Sequence, residues 1–423
     1  MKVLHLAKCY RLSMLKLGLL HVKRMCEFAY LLKVDNHPMQ RLVKEVYRRT
    51  AKLSSSLFSK PPYITTELLE EERLSFYKRK EYYPIHIGDT HQSREGNYKA
   101  LKASTALDGR PDATRREAKI YKHLSLIKSD HPGQANIRGL YDTFELQSSA
   151  GAHQCLLQPA MHMTLMDLLR MHDEPFGLDL LKMTLGRLLR ALDFLHTEAQ
   201  VVHLDLKPDN IMISIEDDTM LERFAKAESK HPTPRKIVDD TLTIYTRRPL
   251  PTPKDDRYGV SVLCDFGEAR IGETHKTGPL VQPHNSRAPE VIFEIPWGPP
   301  VDIWNVRCLA WALFEGRYLF QNVRTNNGKW EPYVHVAQIV SLLGQPPVDF
   351  LRRSNTASEC FDNSGTWIHD DPRVSSVTLE DLEVRLEEPE KGAFLKFIRS
   401  MLTWLPEERK TARELLEDPW LQE

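Results

Sequence analysis

Val201-Val202-His203-Leu204-Asp205-Leu206-Lys207-Pro208-Asp209-Asn210 puts a carboxylate, an ammonium and an amide into one short loop after an apolar strand. In phosphoryl transfer an Asp in such a loop accepts the proton of the attacking hydroxyl, a nearby Lys balances the moving phosphate, and an Asn holds a divalent metal. Asp205, Lys207 and Asn210 stand at that spacing. A His-x-Asp-x-x-x-x-Asn string alone also fits a solvated polar loop after a buried strand, so partners elsewhere in the chain decide its meaning.

The partners follow in order. The β-type run Val260-Ser261-Val262-Leu263-Cys264 delivers Asp265-Phe266-Gly267, whose Asp has the place of a magnesium ligand beside the β- and γ-phosphates. Arg287-Ala288-Pro289-Glu290 then closes the segment that follows. Val301-Asp302-Ile303-Trp304-Asn305-Val306 opens a largely apolar helix expected to reach about Leu319, with Asp302 set to hold the catalytic-loop backbone. Near the C-terminus, Trp404-Leu405-Pro406-Glu407-Glu408-Arg409 offers Arg409 as the ion-pair partner of Glu290. Each motif alone is no more than a turn or a cap; together and in this order they exclude coincidence.

With these motifs the chain resembles the eukaryotic protein kinases, and the last two argue against the small-molecule phosphotransferases. Val340-Ser341-Leu342-Leu343-Gly344-Gln345-Pro346-Pro347 is similar to the insert of the group that holds the cyclin-dependent, mitogen-activated and SR-protein kinases. Glu81-Tyr82-Tyr83-Pro84, and an insertion between catalytic loop and Asp-Phe-Gly, resemble the SR-protein kinases and their fungal relatives above all. The resemblance runs from about Pro62 to Leu421. It implies an α+β fold of two lobes, with N-lobe and hinge over 61–161 and a mainly helical C-lobe over 162–423. It also implies ATP and Mg2+ as cofactors, and protein Ser or Thr as acceptor. Lys207 favours Ser/Thr over Tyr chemistry, and Arg/Ser-rich substrates follow from the resemblance alone.

Composition agrees. A chain of 423 residues with 41% hydrophobic residues can bury a large two-lobed core. Lys plus Arg equals Asp plus Glu at 58 each, so no global field points to nucleic acid or an acidic membrane, and a monomer is expected. Cys9, Cys26, Cys155, Cys264, Cys308 and Cys360 lack Cys-x-x-Cys spacing, which suits reduced thiols inside a cell, in cytoplasm or nucleus. No run of eighteen apolar residues suggests a membrane span.

Residues 1–60 read as a separate basic extension. Lys2, Lys8, Arg11, Lys16, Lys23 and Arg24 interleave with leucines and no acid before Cys26. That composition fits a mitochondrial presequence, a basic amphipathic helix or a weakly structured extension. Ser54 to Pro62 would be the linker.

Nucleotide binding is where the chain departs from its family. After Tyr83-Pro84-Ile85-His86-Ile87-Gly88, neither a Gly-x-Gly-x-x-Gly turn nor its two strands precede Tyr98-Lys99-Ala100-Leu101-Lys102-Ala103. A truncated N-lobe sheet, lacking its first β-hairpin, is the expectation. By resemblance Lys102 would orient the α- and β-phosphates, paired with Glu117 of the regulatory helix; Lys99 and Glu95 are rival assignments, and a surface lysine with an ordinary helix glutamate is the plain alternative. Gln154 to Met161 reads as a strand and hinge, with Leu157 as gatekeeper and Gln158, Ala160 and Met161 along the adenine edge.

Two further departures lie in the C-lobe. Leu204 stands where most kinases have Arg, so a phosphorylated activation segment would find no guanidinium there. Arg307 stands at a helix position normally given to Gly and must snorkel or find an acid. The insertion, about 214–257, reads as an amphipathic helix followed by an extended, exposed, Pro-rich strap from Pro232 to Pro253, and as a whole as a packing element, with a docking role as the alternative. Three readings remain: an active Ser/Thr kinase, a pseudokinase or scaffold with impaired ATP binding, and an incomplete gene product that lacks the glycine-loop segment between Gly88 and Tyr98.

Overall fold

The N-lobe sheet has five antiparallel strands in the order β1-β2-β3-β5-β4: β1 (Val3–Ala7), β2 (Phe28–Leu32), β3 (Lys99–Ala103), β4 (Asp142–Ser148) and β5 (Gly151–Pro159). The computed structural model describes residues 3–7, 28–32, 67–73, 77–86, 98–106, 111–171, 174–216, 219–253, 258–276, 280–321, 331–369 and 377–422. The register pairs Val3 with Leu32 and Phe28 with Ala103. The N-terminal stretch therefore supplies the two strands beside β3, and the sheet is not truncated as the sequence reading expects. Without them β3 would present a row of unpaired backbone groups at an open edge. Val3-Leu4-His5-Leu6-Ala7 and Phe28-Ala29-Tyr30-Leu31-Leu32 are apolar runs of strand length that the surrounding charges hide. Residues 8–27, the Ser54–Pro62 linker and the 87–97 stretch lie outside the described residues.

Helix α1 (Pro111–Leu126) follows β3 and carries Glu117. Proline at its first position is tolerated because an N–H there would lack an intrahelical partner. Below the sheet the chain turns helical, with β6 (Met161–Thr164), α2 (Leu165–Met171) and α3 (Leu178–Thr197). On α3, Leu181, Leu185, Leu188, Leu192 and Leu195 recur at helical spacing and are all buried.

Strands β7 (Val201–Val202) and β8 (Ile211–Ser214) flank the catalytic loop. The insertion then forms α4 (Thr219–Lys230), β9 (Arg235–Ile237) and β10 (Thr243–Tyr245) before β11 (Ser261–Leu263) pairs back onto β8. Helix α5 (Pro300–Glu315) is buried on nearly every side and stops at Gly316, whose φ of 68° forms a left-handed cap, short of the expected Leu319. Helices α6 (Pro332–Leu343) and α7 (Glu390–Arg399) complete the core, where Phe394 of α7 lies 6.3 Å from Trp311 and 5.1 Å from Phe314. Among the described residues no helix is long and apolar enough to cross a membrane.

The insertion is a packing element, as expected, although its Pro-rich part is not the exposed strap that its proline content suggests. Leu221 and Phe224 of α4 pack with Leu250 against Tyr98 and the hinge residue Ala160. Leu242 and Ile244 bury Leu69 of the segment leading into the N-lobe. Arg247 grips Asp167 of α2 through both terminal nitrogens, at 3.2 and 2.9 Å, while its backbone N–H donates to Glu70 at 3.0 Å. Lys236 meets Glu72 at 3.0 Å. The insertion thus ties the N-lobe leader to the C-lobe across the hinge.

Glu71 sits between those two acids, 5% exposed. Burial, with Glu70 and Glu72 adding to it, pushes its carboxyl from 4.5 up to about 8. The folded state therefore holds a proton that the unfolded chain releases above the ordinary carboxylate range, so stability falls as pH rises from there through about 8. Glu71→Gln should keep its thermal midpoint level across that window while the native chain declines, opening a gap on the order of 5 °C. Parallel pH profiles would count against the buried, protonated carboxyl.

Candidate active site

The catalytic loop is held from below by one carboxylate. Asp302, fully buried in the first turn of α5, accepts the His203 N–H at 2.8 Å on Oδ2 and the Leu204 N–H at 2.8 Å on Oδ1. His196 adds its Nε2 at 3.0 Å. Leu204 has a φ of 70°, a left-handed value strained for a residue with a side chain. The two bonds to Asp302 and complete burial of the Leu204 side chain keep it there. An apolar anchor thus stands in place of the family's arginine.

That backbone sets the polar cluster beyond it. Asn210 donates from Nδ2 to the Asp205 carbonyl at 2.8 Å and to Asp205 Oδ2 at 2.5 Å. Lys207 Nζ lies 2.9 Å from the same carboxylate oxygen. Asp205 is 3% exposed, whereas the Lys207 side chain is 30% exposed and reaches outward. Asp205, Lys207 and Asn210 therefore form one connected group.

Asp265 joins it from the neighbouring strand. Cys264 N–H donates to the Asn210 carbonyl at 2.8 Å, fixing the end of β11 beside the loop. Asp265 has a φ of 63° and accepts the Gly267 N–H on Oδ1 at 3.2 Å. The same oxygen lies 3.5 Å from Lys102 Nζ, which bonds Glu117 Oε2 at 2.6 Å. Lys99 instead places its ammonium 3.7 Å over the Tyr141 ring; Glu95 lies outside the described residues. One turn after Glu117, Tyr121 meets Phe266 edge-on at 5.3 Å, and Phe266 meets His203 at 5.1 Å. Helix α1, the Asp-Phe-Gly turn and the catalytic loop are thereby coupled through one aromatic ring.

The hinge strand faces differently from the sequence expectation. The register opposes Lys102 to Leu156, Leu101 to Leu157 and Ala100 to Gln158. Because side chains alternate faces along a strand, Gln158 shares the face of Ala100 and Lys102, while Leu157 points to the other side. The gatekeeper position belongs to Gln158, whose Nε2 is buried without a partner among the described residues. Ala160 is half-buried against the insertion, and Met161 packs with Met212, Val262 and Cys264. Gln158→Gly should admit ATP analogues with bulky N6 substituents at least about tenfold better in competition binding, and Leu157→Gly should not. The reverse pattern would reject this register.

The residues fit the nucleotide and metal that such a site needs. Asn210 uses Nδ2 on Asp205, so its Oδ1 would be the oxygen offered to a metal, together with the carboxylate of Asp265. Magnesium is bound through one or two protein oxygens plus substrate phosphates, so a larger ligand cluster is unnecessary. Below the site, Arg409 clasps Glu290 with both terminal nitrogens, at 2.6 and 2.8 Å, in full burial.

The family model for the protein kinase domain matches residues 87–243 and 254–421, and the chain belongs to that family. The chain is 36% identical over 377 residues to a serine/threonine protein kinase of Aspergillus fumigatus, covering 84% of this chain and 91% of that protein. It is 26% identical over 406 residues to the serine/threonine-protein kinase SRPK of Physarum polycephalum, covering 83% and 91%. Protein kinase dsk1 of Schizosaccharomyces pombe is 23% identical over 470 residues, covering 84% and 85%. By family the chain is a protein serine/threonine kinase that resembles the SR-protein kinases.

Proposed function

We propose that this kinase transfers the ATP γ-phosphoryl group to Ser or Thr hydroxyls through Asp205, Lys207, Asn210 and Asp265. The supporting observation is a pair of contact chains, one from Glu117 through Lys102 to Asp265 and one from Asn210 through Asp205 to Lys207, with the Cys264 N–H bonded to the Asn210 carbonyl between them. Asp205 orients the hydroxyl and takes its proton. Lys207 balances the phosphate on the solvent side, and Lys102, held by Glu117, positions the α- and β-phosphates. Magnesium at Asn210 and Asp265 would neutralise charge on the β- and γ-oxygens. Gln158, Ala160 and Met161 line the base.

The absence of a glycine-rich turn favours the pseudokinase reading. Residues 8–27, between β1 and β2, contain Gly18 as their one glycine. Against it stand the intact polar cluster and the five-stranded sheet. Arg/Ser-rich proteins are the proposed substrates, on the strength of the SR-protein-kinase resemblance. A peptide panel tests this: Arg/Ser repeats should be phosphorylated at least about tenfold more efficiently than Lys/Ser or Glu/Ser repeats. Equal efficiencies would remove the substrate assignment and leave the kinase assignment standing.

A further inference from the structure

Arg307 neither snorkels nor finds an acid. Its side chain on α5 is fully buried, and Nε, Nη1 and Nη2 have no hydrogen-bond partner among the described residues. Trp304 stacks on it at 4.2 Å and Phe320 at 4.8 Å, which offsets part of its desolvation but supplies no counter-charge. The buried carboxylate of Glu290 is taken by Arg409, whose own guanidinium lies 4.9 Å from the Trp304 ring centroid.

The surrounding polar atoms are also short of acceptors. Trp304 Nε1, Asn305 Nδ2 and both ring nitrogens of His335 on α6 are buried and unpartnered among the described residues. His335 packs on Phe320 at 5.0 Å and is fully buried. Burial, then the charges of Arg287, Arg307 and His284, hold its imidazole well below the usual range, so it is neutral with one N–H to give. Burial lowers Arg307 only to about 10, so the guanidinium remains charged at neutral pH. The adjacent segment from Asn322 to Trp330 contains no Asp or Glu.

We propose that Arg307, with the N–H groups of His335, Trp304 and Asn305, forms a buried site for a small monovalent anion of halide size. A lone charge in a dry core is strongly destabilising, and a counter-ion that brings acceptor capacity to several orphaned donors removes both defects at once. The site lies behind the segment that ends at Glu290, since Gln282 of that segment bonds Asn305 Oδ1 at 2.8 Å. Anion binding would therefore firm the segment without touching the reacting atoms.

The test compares thermal unfolding of the full chain in sodium chloride, sodium bromide and sodium gluconate at one ionic strength. The native chain should gain a saturable rise on the order of 5 °C in the halides over gluconate. Arg307→Met should show no such difference, and should match or exceed the native midpoint in gluconate. Identical halide responses of the two proteins would overturn the site, because general salt effects act on both alike. Should the variant not fold, crystals of the native chain grown in bromide decide: an anomalous peak beside the Arg307 guanidinium supports the site, and a flat map at saturating bromide rejects it.

Discussion

Asp205→Asn is expected to lower the transfer rate by about 10²–10⁴ while leaving nucleotide affinity nearly unchanged. The side chain is nine-tenths buried or more, accepts from Asn210 and lies beside Lys207, so an amide of the same shape fits with small displacement. What the amide cannot do is take the hydroxyl proton. Initial rates with a Ser peptide, together with nucleotide binding by titration, separate the two effects. A rate loss accompanied by an equal loss of nucleotide affinity would mean that Asp205 holds the site together and does not act on the hydroxyl. Lys102→Met should show the opposite pattern, weakening nucleotide binding as well as rate, because its ammonium joins Glu117 to Asp265.

Arg409→Ala is expected to cost about 3–5 kcal/mol of stability. Both partners of the Arg409–Glu290 pair are fully buried, so removing the guanidinium leaves Glu290 charged in a dry core with two unfilled acceptors. Arg409 also donates to the carbonyls of Pro300 and Thr403, binding the start of α5 to the C-terminal segment. Glu290→Gln combined with Arg409→Met should recover much of the loss, since neutral groups of similar volume carry no desolvation penalty. Chemical denaturation of the three proteins measures this. A single variant that unfolds within 1 kcal/mol of the native chain would show that the pair is not sealed from solvent.

Much of the site was legible because its chemistry fixes residue types at fixed spacing. His203 to Asn210, Asp265 to Gly267, Asp302, Glu290 and Arg409 could be placed from sequence order alone, and the structure shows Asp302 holding the catalytic-loop backbone and Arg409 paired with Glu290, as their types suggest. Lys102 is assigned by resemblance, with Lys99 as a rival, and the Tyr141 ring shows where the other ammonium goes. The gatekeeper was misread because neighbouring strand residues face opposite ways, and a slip of one position exchanges Leu157 for Gln158. The edge hairpin was hidden for another reason: two five-residue apolar runs among many cations read as one basic amphipathic stretch until strand pairing supplies the long-range partner. Proline in the insertion pointed to an exposed strap. Its β9–β10 pair and the Arg247–Asp167 grip depend on residues far apart in sequence, which composition does not relate. Nor could burial of Arg307 be inferred locally, because its fate is set by Trp304, Phe320 and His335 converging around it.

This chain, with a sheet edge built from its own N-terminus and no glycine-rich turn in its sequence, is proposed to perform phosphoryl transfer. Incubation of the full chain with labelled ATP, magnesium and Ser, Thr and Tyr versions of one Arg-rich peptide tests it directly, with Asp205→Asn as the blank. Label should appear on the Ser and Thr peptides at about 10² times the blank or more, and not on the Tyr peptide. Incorporation equal to the blank on all three would contradict it.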